Sequence, residues 1–210
     1  MTVPEEQTIT FVIDDDELVR ASVADLLRSV GMSVKVFAST REFLDSKRPD
    51  AAACIVLDVR LPGGSGLEFQ RTLAESGIDL PVIFISGHGD IPMSVRAMKT
   101  GAVAFLTKPL REQELLDAVF VGIERDRTRR TQKQRLAELR KRLTSLTARE
   151  RQVLPLVISG RPNKQIASDL QLSEMTVKVH RSHIMQKMQA RSLVDLVRMA
   201  DQLGVSAQQS

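Results

Sequence analysis

Four apolar runs in this chain each end in a side chain able to do phosphate or metal chemistry. Residues 9–13 lead into Asp14 and Asp15, residues 54–57 into Asp58, residues 81–85 into Ser86, and residues 102–107 into Lys108. Three carboxylates gathered at one place repel, and each raises the pKa of the others. A hard divalent cation removes that penalty, and Mg²⁺ typically takes one or two carboxylates together with waters and phosphate oxygens. Lys108 adds a compact positive charge and Ser86 a short hydroxyl, so the set suits Mg²⁺ beside a phosphoryl group. One aspartate alone could equally cap a following helix, as any of Asp14, Asp15 and Asp16 could. The full set is hard to explain that way.

Bringing these residues together requires a sheet whose strands all end at one edge. The four runs have strand length, and residues 34–37 read as a fifth strand. Helical patterns fill the gaps. Leu18, Val23, Leu26, Leu27 and Val30 form a stripe closed by Gly31. Ser39 to Glu42 offers a capping box ahead of Phe43 and Leu44. Residues 66–74 and 91–99 are helix-like, and Leu115, Leu116, Val119 and Ile123 share a last helical face. Strand then helix, five times over, predicts a five-stranded parallel, doubly wound α/β sheet with its site at the carboxyl ends of the strands.

The net charge of +4 conceals two unlike halves. Residues 1–125 carry 13 Lys+Arg against 19 Asp+Glu, whereas residues 126–210 carry 17 against 7. Nucleic acid is the natural partner of the basic half. Seven Phe with no Trp or Tyr disfavour stacking platforms for single strands. No apolar stretch approaches the roughly 18 residues of a membrane span, so no membrane association is expected. Residues 1–8 lack the features of a secretory signal, which makes the cytoplasm the expected location. Cys54, the lone cysteine, sits in an apolar run and is expected to be a buried thiol.

Residues 124–135 contain no apolar side chain, and neither Gly nor Pro occurs between Ile123 and Leu154. Leu136, Leu139, Leu143 and Leu146 then resume a helical spacing. The segment 126–144 therefore reads as a solvated helical linker between domains at 1–125 and 145–210. Its basic run is weakly specific, since a solvated face explains it as well as phosphate contact does.

The last domain reads as four helices. Thr147 and Glu150 form a capping box for a helix stopped by Gly160, and residues 163–170 form a second with Ile166, Ala167 and Leu170 inward. After a tight connection Ser173 caps a third, and Ser192 caps a fourth with Leu193, Leu196, Val197 and Ala200 inward. Pro155 inside the first helix costs roughly 3 kcal/mol or kinks it, so a bend or break near Leu154 is expected. At 100° per residue Val177, Ile184 and Met188 share the inward face of the third helix. Lys178, Val179, Ser182, His183 and Gln186 then point away, free to enter a major groove, with Arg181 and Lys187 on the flanks for phosphates or solvent. His180 and His183 lack the partners a zinc site needs.

The front half resembles the receiver domain of two-component response regulators through Asp14-Asp15, Asp58 with Pro62 and Gly66, Ser86-Gly87, Gly101-Ala102 with Phe105, and Lys108-Pro109. The resemblance implies a flavodoxin-like fold in which Asp58 accepts a phosphoryl group from a sensor histidine kinase. It implies Mg²⁺ held by Asp15 and Asp58, with Asp14 nearby and the backbone carbonyl of Arg60 as a further ligand. Ser86 and Lys108 then contact the phosphoryl group, Phe105 swings inward, and the Lys108–Pro109 bond is cis.

The rear half resembles the LuxR-type helix-turn-helix domain through residues 146–151, Gly160, residues 163–167, Leu172-Ser173, residues 176–180 and residues 191–193. Together the halves are similar to a FixJ/NarL-type response regulator. This implies promoter DNA contacted by Lys164, Lys178, Val179 and Ser182, a fourth helix that supports a homodimer in the phosphorylated state, and RNA polymerase as a partner. Two rivals predict otherwise. A haloacid-dehalogenase-type phosphatase needs a general acid two residues beyond its nucleophile, where Arg60 cannot serve. A receiver-bearing interaction module needs no basic groove face.

Overall fold

In the computed structural model the described residues are 8–62, 64–87 and 91–205. They form two compact units that divide between Arg130 and Thr131. In the first unit five strands, β1 (Thr8–Ile13), β2 (Ser33–Phe37), β3 (Ala52–Asp58), β6 (Val82–Ser86) and β7 (Ala104–Thr107), pair in the order β2-β1-β3-β6-β7. Every pairing is parallel. Helices α1 (Glu17–Ser29), α2 (Thr40–Asp45), α3 (Gly66–Glu75), α4 (Ile91–Lys99) and α5 (Glu112–Thr144) connect or follow the strands. A two-residue ladder, β4 (Arg60–Leu61) with β5 (Gly64–Ser65), lies between β3 and α3. This is the predicted flavodoxin-like order, which leaves a crevice at the carboxyl ends of β1 and β3.

Alternation along the central strands sorts two cores. Phe11, Ile13, Ile55, Leu57 and Phe84 face Phe43, Phe69, Leu73 and Ala97. Val12, Cys54, Val56, Ile83 and Ile85 face Val23, Leu27, Leu115 and Val119. Strands buried on both faces read as unbroken apolar runs, which is why they were legible. Cys54 is fully buried as expected, and burial pushes its thiol up to about 12.

Two expectations for α1 need correction. Leu18 is 80% exposed, because it lies about 140° around the helix from Val23. Val30 is also exposed, since the helix ends at Ser29 and Val30 is only its C-cap. Asp16 is the helix N-cap, accepting from the backbone N–H groups of Leu18 and Val19. Asp14 and Asp15 are left for other work. At α2, Ser39 accepts the Glu42 N–H, while the Glu42 carboxylate takes the N–H of Ala38.

Helix α5 runs unbroken for 33 residues. Its stretch just past Ile123 is held to the first unit by charge. Asp126, fully buried, accepts the backbone N–H of Ala53 at 2.9 Å and pairs with Arg129. Arg129 also meets Asp79, and Arg130 pairs with Asp50.

In the second unit the end of α5 is joined by α6 (Ala148–Ile158), α7 (Asn163–Leu170), α8 (Glu174–Met188) and α9 (Leu193–Gln202) around one core. Of the bend or break expected near Leu154, the break does not occur, and α6 continues through Pro155 to Ile158. The carbonyl that loses its partner there belongs to Arg151, an exposed residue that water can serve. Leu193 also departs from expectation, remaining exposed in the first turn of α9.

Candidate functional site

The strand ends deliver their side chains to one edge. Asp14, 0% exposed, directly follows β1; Asp58, 6% exposed, is the last residue of β3; Ser86, 0% exposed, is the last of β6. Lys108 directly follows β7, and its backbone N–H donates to the Ser86 carbonyl at 2.8 Å. Its Nζ lies 2.7 Å from Asp14 Oδ2 and 2.5 Å from Asp58 Oδ2. The remaining oxygen of each carboxylate accepts a backbone N–H. Asp16 donates to Asp14 Oδ1 at 2.9 Å, and Arg60 donates to Asp58 Oδ1 at 2.9 Å.

Asp15 is exposed beside them. One carboxylate oxygen from each of Asp14, Asp15 and Asp58 lies within 4.8 Å of the others, a hard-oxygen donor set that fits a divalent cation. Arg60 opens β4 two residues after Asp58. His88 lies outside the described residues.

Burial is the largest influence on the Asp14 carboxyl and pushes it up. Lys108 and the Asp16 N–H pull it down without cancelling the rise, to which the Asp58 charge adds. Burial alone depresses the Lys108 ammonium. Its hydrogen bonds to Asp14 and Asp58 outweigh that and hold it above the usual lysine range.

Two further features fix the site. Arg20 reaches back from α1 and donates to the carbonyls of Asp14 and Asp15 at 2.6 and 2.8 Å. Gly66 lets the start of α3 close on β3, because a Cβ there would meet the Asp58 carbonyl oxygen at 2.6 Å. Phe105 on β7 is half-buried, in register with Phe84, with ring centroids 6.5 Å apart. The Lys108–Pro109 bond is cis.

The second unit carries the other candidate surface. Gln171, in the left-handed region at φ 54°, turns the chain from α7 toward α8, and Ser173 caps α8 by accepting the Thr176 N–H. Val177, Ile184 and Met188 are buried as predicted, Lys178, Val179, Ser182 and Gln186 are exposed on the other face, and His183, also exposed, has its Nδ1 3.6 Å from Glu150 Oε1 of α6. Lys164 is exposed on α7. The two flanking cations are already engaged within the unit. Arg181 donates to the Arg161 carbonyl at 3.4 Å, and Lys187 Nζ lies 2.7 Å from Glu150 Oε2.

Comparison with known proteins follows the same division. Residues 10–120 match the response regulator receiver domain, and residues 144–200 match the luxR family of bacterial regulatory proteins. The chain belongs to the FixJ/NarL-type response regulators. Nodulation protein W of Bradyrhizobium diazoefficiens is 55% identical over 201 residues, spanning 96% of this chain and 88% of that protein. Transcriptional regulatory protein FixJ of Azorhizobium caulinodans is 46% identical over 195 residues, spanning 93% and 92%. Among solved structures, response regulator StyR superposes with a TM-score of 0.84 at 48% identity, over 93% of this chain and 98% of that one.

This response regulator is thus a transcriptional regulator with a receiver domain and a LuxR-type DNA-binding domain, and phosphorylation-dependent control fits that pairing. No helix among its described residues is long and apolar enough to cross a membrane.

Sequence reading missed several of its positioning residues. Arg20 had a signal, being one helical turn into α1 from the strand-end aspartates. Asp126 had none, since its burial depends on where β3 begins. Glu150 was read only as half of a capping box, yet it also receives Lys187.

Proposed function

We propose that this response regulator takes a phosphoryl group onto Asp58 from a sensor histidine kinase and thereby controls binding of promoter DNA by α8. The observation that carries the proposal is the setting of Asp58. It is a nearly buried carboxylate at the sheet edge, held by the Arg60 N–H and Lys108, with two further carboxylates within 4.8 Å.

In this reading an Asp58 oxygen forms a bond to phosphorus as the phosphorus–nitrogen bond of the kinase's phosphohistidine breaks, and the electron pair returns to the imidazole. Lys108 moves from pairing carboxylates to pairing the new charge, about −1.5 to −2. Ser86 donates its hydroxyl to a phosphoryl oxygen, and Phe105 shifts further inward on the Phe84 side. Asp14, Asp15, Asp58 and the Arg60 carbonyl would hold Mg²⁺, which would neutralise charge on the carboxylate and phosphoryl oxygens. Slow loss of the phosphoryl group to water resets the switch, and no other substrate is turned over.

Residues 1–125 serve as receiver, 126–144 as linker and 145–210 as DNA reader. Lys178, Val179, Ser182, His183 and Gln186 approach base edges from α8 and Lys164 offers its charge to phosphates, while Arg181 and Lys187, engaged within the unit, reach phosphate only by giving up those partners. The phosphorylated chain acts as a homodimer on paired half-sites and contacts RNA polymerase, in the cytoplasm.

The test is intact-mass spectrometry after incubation with acetyl phosphate and Mg²⁺. The wild type gains one phosphoryl mass, and Asp58→Asn gains none. Equal labelling of both proteins would remove Asp58 from the role.

A further inference from the structure

The exposed face of α8 reads DNA only if the helix is held at a fixed tilt, and the ends of a short helix are where tilt is set. Its N-terminus is capped by Ser173. Its C-terminal turn is gripped from two sides. Lys187 pairs with Glu150 of α6, and Arg142, from the last turns of α5, donates Nη1 to the Met188 carbonyl at 3.3 Å. Met188 is the final residue of α8, so this carbonyl is one of the four that a helix leaves without a partner. A cation at that end also meets the negative pole of the helix dipole.

Arg142 is held there at a cost. Its side chain is 25% exposed, its Nε is buried without a hydrogen-bond partner, and the nearest paired carboxylate, Glu138, stands 3.9 Å away. Leu143 and Leu146, one and four residues after it, pack in the core that includes Met188. An arginine kept in place despite an unsatisfied nitrogen serves the contact it does make.

We infer that Arg142 is a positioning residue for DNA recognition, setting the tilt of α8 through the Met188 carbonyl without touching DNA itself. The inference rests on α8 being the DNA reader. Without Arg142 the C-terminal turn of α8 drifts, and the side chains from Lys178 to Gln186 lose register with base edges. Phosphate attraction, which needs no register, survives.

The experiment uses full-length protein, a duplex selected from a random-sequence pool by the wild type, and a scrambled duplex of equal length. Arg142→Met keeps the apolar stem, Arg142→Lys keeps the charge, and circular dichroism at the working temperature verifies folding. Arg142→Met is expected to bind the selected duplex about tenfold more weakly, the loss of one charge-assisted hydrogen bond. Its affinity for the scrambled duplex and its salt slope stay unchanged, and Arg142→Lys recovers most of the loss.

Equal affinity of wild type and a folded Arg142→Met on the selected duplex would overturn the inference. So would parallel loss on both duplexes with a salt slope shallower by about 0.9, which marks a direct phosphate contact. Failure of the wild type to select any duplex would instead strike the DNA-reading function itself.

Discussion

Lys108 Nζ stands 2.5 Å from Asp58 Oδ2, although the two residues leave the sheet on strands separated by β6. The same nitrogen serves Asp14, so one cation offsets two nearly buried anions. That arrangement is balanced only while Lys108 stays, or while another cation takes its place.

Removing it should expose the imbalance. Lys108→Met leaves two close carboxylates uncompensated and is expected to lower stability by about 3 kcal/mol in the absence of divalent cations. Urea unfolding followed by circular dichroism, with and without millimolar Mg²⁺, measures this. Mg²⁺ should stabilise the variant more than the wild type, since binding to the folded state alone adds to stability. No gain in either would mean that the aspartates do not form a cation site, and equal gains would mean that Lys108 does not compete with the cation for them.

Glu150 makes the DNA-binding unit sensitive to acid. Burial pushes its carboxyl up, but the Lys187 ammonium and the N–H and hydroxyl of Thr147 outweigh burial and hold it below its ordinary value of 4.5. A carboxyl depressed by folding stabilises above its unfolded pKa, and the contribution is lost as pH falls through the folded value. Glu150→Gln should therefore cost about 1–3 kcal/mol at pH 7. The difference from wild type should shrink as pH drops below 4.5. A gap that does not change with pH would contradict this account of the ion pair.

Gly66 should tolerate no side chain. A Cβ there meets the Asp58 carbonyl oxygen at 2.6 Å, Val59 Cα at 3.1 Å and Phe84 at 3.3 Å. Backbone cannot swing aside as a flexible side chain can, so Gly66→Ala is expected to cost about 1–3 kcal/mol and to slow labelling of Asp58. Gly64→Ala is the control, because its Cβ would meet only a Glu68 oxygen at 3.9 Å. It should change stability by less than about 0.5 kcal/mol.

The parts legible in the sequence were those governed by local rules. Apolar runs ending in polar residues gave β1, β3 and β6, and Thr147-x-x-Glu150 gave the start of α6 with both capping bonds in place. The grouping of Asp14, Asp58 and Lys108 was legible because parallel strands must end at one edge. What escaped depended on distant parts of the chain. Leu18 looked like core until the position of α1 on the sheet decided which turn it faced. Pro155 looked like a break, but the packing of Val153, Leu154, Leu156 and Val157 carries the helix through it. Lys187 looked free for phosphate until α6 placed Glu150 beside it.

The central claim is that charge added at Asp58 is felt by the groove-facing side chains of α8. It is tested most directly by measuring affinity for the selected duplex with and without acetyl phosphate and Mg²⁺, for wild type and Asp58→Asn. Phosphorylation is expected to tighten wild-type binding by about tenfold, within the usual range of coupling between sites, and to leave Asp58→Asn unchanged. Wild-type affinity that stays constant while Asp58 is demonstrably phosphorylated would contradict it.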